Sequence, residues 1–269
     1  MQLDQAQIAI CERSWLDNLD LALHVLRSRA AGITASALAG IVPLAALNYL
    51  LLSLAHSRRF SDDMTSGAIL VSTFLVMLEA PLATAPLTLY LGQAMFVNKP
   101  RPRQIAREFW TCLPQLFVLQ VLLRSLLILP IMTWIVPYGI WPYLNEVILL
   151  ERNPLFSRQG HISTLKRNTN LHRNNNGEFL LSAIGAGCLA PLLIVALWST
   201  QRILLETLFN FQPPWGGQVI AFQAVLWLVV VYFTVARFLC YLDQRIRTEG
   251  WEVELYLRAE GDRIARRIA

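Results

Sequence analysis

The chain has 269 residues, of which 55% are hydrophobic and 15% charged, with a mean hydropathy of +0.45 and a formal net charge of +5. Soluble domains carry roughly a quarter of their residues as charges, so this composition excludes an ordinary soluble enzyme and points to an integral membrane protein. The basic excess is dispersed among four segments rather than gathered on one face, which argues against nucleic acid as a partner.

From the amino end, Ile8 to Leu26 places Ile8, Trp15, Leu19, Leu23 and Leu26 on one helical face, with Arg13, Asp17, Asp20, His24 and Arg27 mostly elsewhere. Residues 1–30 are therefore expected to form an interfacial amphipathic helix lying on the bilayer. Acidic residues precede the first apolar run and no small-residue cleavage site follows it, so that run reads as a permanent anchor.

Residues 31–55 contain no Asp, Glu, Lys or Arg, and neither do residues 179–201. Each exceeds the roughly 20 residues that a helix needs to cross the hydrocarbon. A second span is expected over 67–97, interrupted by Glu79, Pro81 and Pro86. Lys99, Arg101, Arg103 and Arg107 then form a basic elbow that ends in Phe109 and Trp110. Residues 111–150 carry only Arg124 and Glu146 as charges and accommodate two short spans, 111–130 and 131–150, with a turn near Pro130 to Pro137. The polar segment 151–178 leads to the fifth span, Pro213, Pro214, Gly216 and Gly217 break the chain, and a sixth span over 218–240 continues into a charged tail at 242–269.

This reading predicts an all-α polytopic membrane bundle, with about six transmembrane helices in residues 31–241 and amphipathic elbow helices between pairs. Eighteen Lys and Arg residues fall in the N-terminus, the two basic elbows and the tail; the opposite loops hold three, Arg58, Arg59 and Arg202. The positive-inside rule then predicts that both termini are cytoplasmic.

Glu79 and Arg124 each lie about a dozen residues inside a span, at overlapping depths when counted at ~1.5 Å per residue. An isolated charge at the bilayer centre costs roughly 2.5–3.5 kcal/mol on insertion scales, so the two are a candidate buried polar pair. The functional version is an ion relay or a lipid-headgroup site at Arg124; the structural version is a helix-pinning ion pair. Glu146, Glu151, Arg152, Arg167 and Arg173 form a candidate network at the inner boundary. In a regular helix Glu146 and Glu151 stand ~140° apart, which argues against a shared acid–base site and favours anchoring.

The four histidines show no metal-ligand spacing, and Cys11, Cys112, Cys188 and Cys240 form no CxxC pair, so neither metal nor cofactor is expected. No GxSxG, P-loop or GxGxxG occurs. Gly185, Gly187 and Pro191 in the fifth span read as a packing surface or kink, with a transporter-like unwound segment as the alternative. Val253, Leu257, Ile264 and Ile268 recur at helical spacing among charges in the tail, as in a membrane-skirting helix or a docking surface.

Three segments together carry a resemblance: EAPLATAPLTLYLGQ from Glu79, EVILLERNP from Glu146 and YLDQRIRTEGWEVEL from Tyr241. They resemble a group of uncharacterised bacterial multi-pass proteins similar to the membrane domain of glycerophosphoryl diester phosphodiesterases. The chemistry of those enzymes resides in a soluble barrel with no counterpart in this sequence, so the resemblance carries over no catalytic residue. It implies an accessory component of the bacterial cytoplasmic membrane, encoded beside a MoxR-type ATPase and a transglutaminase-like membrane protein. The expectation is a non-enzymatic scaffold or accessory subunit whose partners are the lipid bilayer and a membrane or cytoplasmic protein held by the elbows and tail. The alternative is a small transporter or lipid-handling protein with a midplane polar site.

Overall fold

A computed structural model describes residues 13–56, 66–95, 97, 100–122, 143–152, 163–172 and 176–249. Among these residues every regular element is helical. Four helical runs are long and apolar enough to cross a membrane, Ala30–His56, Gly67–Ala94, Phe179–Leu208 and Trp215–Thr248. They overlie the expected spans 31–55, 67–97, 179–201 and 218–240. Much of the expected spans 111–130 and 131–150 lies outside the described residues, as do the first twelve residues and the tail beyond 249.

Helix α1 (Trp15–Ser28) begins with a reciprocal cap: the Ser14 hydroxyl accepts from the Asp17 amide while the Asp17 carboxylate accepts from Ser14 N. Its buried face is Asn18, Leu19, Ala22 and Val25, with Leu16 and Leu23 exposed. The sequence pattern had grouped Leu19 with Leu23. The structure rotates the contact because small Ala22 lets α1 lie closely along the last helix, and Tyr232 Oη donates to Leu19 O at 3.3 Å. After Arg29, α2 (Ala30–His56) follows at once, burying Ile33, Ala37, Gly40, Ile41, Asn48 and Leu52 along one helical stripe.

The expected 67–97 span is two helical pieces in line, α3 (Ser66–Ala83) and α4 (Ala85–Ala94). Thr84 joins them with its backbone still right-handed, and the Thr84 N→Ala80 O and Thr88 N→Thr84 O bonds, both 2.9 Å, carry the ladder across. Pro86 has no N–H to complete that ladder, which explains why the break falls here. Gly40 of α2 packs so closely on this junction that a methyl group at its Cα would collide with the Ala83 carbonyl oxygen.

Helix α5 (Pro102–Leu116) takes Pro102 in its first turn and runs without interruption into π-helical turns at Phe117–Leu122. The basic elbow and the start of the expected third span are thus one helix. A short helix α6 (Leu144–Glu146) likewise passes into π-helical turns at Val147–Glu151 and ends at Arg152, whose φ of 53° is left-handed. Helix α7 (Thr164–His172) precedes the two longest helices, α8 (Asn176–Leu208) and α9 (Trp215–Glu249).

Helix α9 is the centre of the bundle, packed by α1, α2, α3, α4, α7 and α8. In its most apolar window 56% of residues are buried, against none in that of α8. Helix α8 touches the core through Leu189, Ile194 and Trp198 but has no fully buried residue in that window, so its outer apolar face requires lipid or another protein over it.

Candidate functional site

Charged side chains collect where α6, α7 and the last turns of α9 meet. Arg237, Tyr241 and Arg245 lie four residues apart on α9 and so share one face. Arg237 Nε donates to Glu146 Oε1 at 2.7 Å, and the Glu146 side chain is 0% exposed. One helical turn further, Glu151 accepts two bonds from Arg167 of α7, from Nε at 2.7 Å and from Nη2 at 3.1 Å. The Tyr241 hydroxyl donates to Glu151 Oε1 at 2.9 Å, and Arg245 Nε stands 3.8 Å from the same oxygen. Burial pushes the Glu151 carboxyl up, but Arg167, Tyr241 and Arg245 outweigh it and hold the group below the ordinary carboxylate range.

The regular-helix geometry that separated Glu146 from Glu151 does not apply here. The i→i+5 pattern of the π-helical turns brings residues five apart nearly into line, so both carboxylates face α9. They still do not form an acid–base pair, because each is neutralised by its own cation. Arg152 is not part of this cluster: its Nη2 pairs with Glu108 Oε1 of α5 at 2.9 Å. Glu108 also accepts from Gln104 at 2.8 Å and Gln93 at 3.4 Å, tying α5 to α4. Arg173 lies outside the described residues.

Glu79 accepts from Asn48 Nδ2 at 2.9 Å, which links α3 to α2, and no cation touches it among the described residues. Arg124, its expected partner, lies outside them. Gly185 meets the Trp15 ring, with an added methyl 2.6 Å from that indole, whereas Gly187 faces open space and α8 continues helically through Pro191. Gly185 is therefore a packing position, and the expected alternative of an unwound segment is absent there.

A third set of contacts joins the two ends of the described chain. Asp243 Oδ1 accepts from Arg13 N at 2.9 Å, Arg247 Nε pairs with Asp243 Oδ2 at 3.1 Å, and Arg247 Nη2 donates to Arg13 O at 2.8 Å. Sequence reasoning passed over Arg237, Tyr241 and Arg245 because they read as the fade of a span into a tail. Their i, i+4, i+8 spacing was the available signal. Among the described residues no group of histidines, cysteines and carboxylates has the geometry of a metal site.

With that geometry in view, comparison with protein-family models, with curated proteins and with solved structures finds no match to this chain.

Proposed function

We propose that this protein is a non-enzymatic scaffold or accessory subunit of a membrane complex, seated in the bacterial cytoplasmic membrane with six spans and both termini inside. The observation that carries this reading is the use made of the charges: Glu146, Glu151 and Asp243 each hold a cation or backbone group of another element. Charges so engaged pin helices together and are not offered to a substrate. The 18-to-3 distribution of basic residues supports the orientation, and the elbow at α5 and the described beginning of the tail supply the inward-facing surface. The resemblance to bacterial multi-pass accessory proteins points the same way.

The test is affinity purification of the tagged protein from its native membrane in mild detergent, full length against a chain ending at Glu249. The truncation begins there because Arg245 and Arg247 are engaged with Glu151 and Asp243. The proposal expects a specific partner lost with residues 250–269 while insertion is retained; an unchanged or empty pull-down counts against it.

One observation favours a second reading, a small transporter or lipid-handling protein. Among the described residues Glu79 is bonded at span depth by an amide and touched by no cation, as in a site that exchanges a proton or solute. That reading predicts that Glu79→Gln abolishes uptake or lipid exchange in proteoliposomes, whereas the scaffold reading leaves insertion and partner capture unchanged.

A further inference from the structure

An open groove of about 1080 Å³ lies at the amino end of α5, lined by Arg101, Arg103, Arg107, Glu108, Thr111 and Arg152 among others. Four guanidinium groups surround one carboxylate, and that carboxylate is already paired with Arg152. Arg101, Arg103 and Arg107 are exposed and form no ion pair with any described residue. The amino end of the helix adds partial positive charge to the same place. A surface of this kind favours an anion, and guanidinium forks match phosphate oxygens.

The rest of the helix says where the phosphate comes from. At ~100° per residue, Trp110, Pro114 and Phe117 stand within about 40° of Arg103 around the helix axis. All three are exposed, Trp110 at 68% and Phe117 at 47%. One stripe thus runs ~21 Å from Arg103 to Phe117, with guanidinium groups at its start and an apolar stretch of ~10 Å from Trp110 onward, about a third of a ~30 Å hydrocarbon core. A free phosphate ion has no use for the apolar length, whereas a phospholipid uses both halves.

We propose that this stripe is a binding site for an anionic phospholipid, with its phosphate between Arg103 and Arg107 and an acyl chain along Trp110, Pro114 and Phe117. The site rests on the membrane placement argued above and is independent of any protein partner. Basic pockets beside membrane helices hold anionic headgroups by the same combination of charge and apolar contact.

The experiment uses the full chain in mild detergent micelles. Retention of phosphatidylglycerol against phosphatidylcholine is measured by native mass spectrometry for wild type, R103Q/R107Q and the control R202Q, whose site pairs with Glu206 on α8. A photoactivatable phosphatidylglycerol analogue is crosslinked to wild type in parallel. The expected result is a phosphatidylglycerol preference reduced about thirtyfold in R103Q/R107Q, unchanged in R202Q, and label mapped to residues 103–118. Label elsewhere, or equal retention by wild type and R103Q/R107Q, overturns the proposal. Competition by millimolar inorganic phosphate as effective as that by the lipid overturns the lipid source and leaves an ion site. The crosslinking arm decides the matter even if the double variant does not fold, and an unchanged pull-down with altered lipid retention separates this site from the scaffold reading.

Discussion

Replacing Arg237 by Met removes the cation from a carboxylate that has no access to solvent. Glu146 is 0% exposed on its side chain and Arg237 24%, with 2.7 Å between Nε and Oε1. Breaking a buried pair by deleting one partner costs about 3–5 kcal/mol, because the remaining charge is left desolvated. Partial exposure of Arg237 places the expectation near the lower bound, about 3 kcal/mol, or roughly a hundredfold in the folded-to-unfolded ratio. Replacing both residues, Glu146→Leu with Arg237→Met, removes the stranded charge and should recover most of that loss. The assay is reversible unfolding in mixed micelles with increasing sodium dodecyl sulfate, followed by tryptophan fluorescence and run as a double-mutant cycle. A coupling near 2–3 kcal/mol is expected from these values. Arg237→Met within about 0.5 kcal/mol of wild type, or a double variant that sums the two single losses, would refute the argument that this pair clamps α6 to α9.

Gly40→Ala should destabilise by about 1–3 kcal/mol, since its methyl meets the Ala83 backbone carbonyl, which cannot swing aside. Gly187→Ala, with nothing near its Cα, should be neutral or stabilising by up to about 1 kcal/mol in the same unfolding assay. The Glu151 carboxyl is held below its ordinary value of 4.5 when folded, so its contribution is fully present above about pH 4.5 and is lost as pH falls through the lower folded value. Glu151→Gln should therefore be less stable than wild type at neutral pH, with the difference closing in acid; a constant difference from about pH 7 to 3 would contradict this linkage.

The spans were legible because lipid leaves a helix few choices: a run of about twenty residues without charge must satisfy its backbone internally. Residues 31–55 and 179–201 met that condition by composition alone, and both are helical. The break inside 67–97 was foreshadowed by Pro81 and Pro86, although Thr84 as its position depends on backbone geometry. The polar contacts were harder to read, because charge spacing gives angles only when the helical period is known. The π-helical turns at Val147–Glu151 change that period and bring Glu146 and Glu151 to one side. Arg152 went to Glu108 instead of Glu151 because the chain leaves the helix through a left-handed residue. Asn48 was passed over as one amide in an apolar run, and its bond to Glu79 becomes visible only when α2 and α3 are set side by side.

The proposed orientation sets the basic elbows and the tail together on the cytoplasmic side of the membrane. Single cysteines are placed at Asn170 in α7 and at Gln212 between α8 and α9, both exposed, in a chain without its native cysteines. Labelling intact cells with a membrane-impermeant maleimide, before and after lysis, then reads the side of each. Gln212→Cys is expected to react in intact cells, and Asn170→Cys only after lysis. Reaction of Asn170→Cys in intact cells would contradict the orientation and, with it, both the inward-facing scaffold and its docking surface.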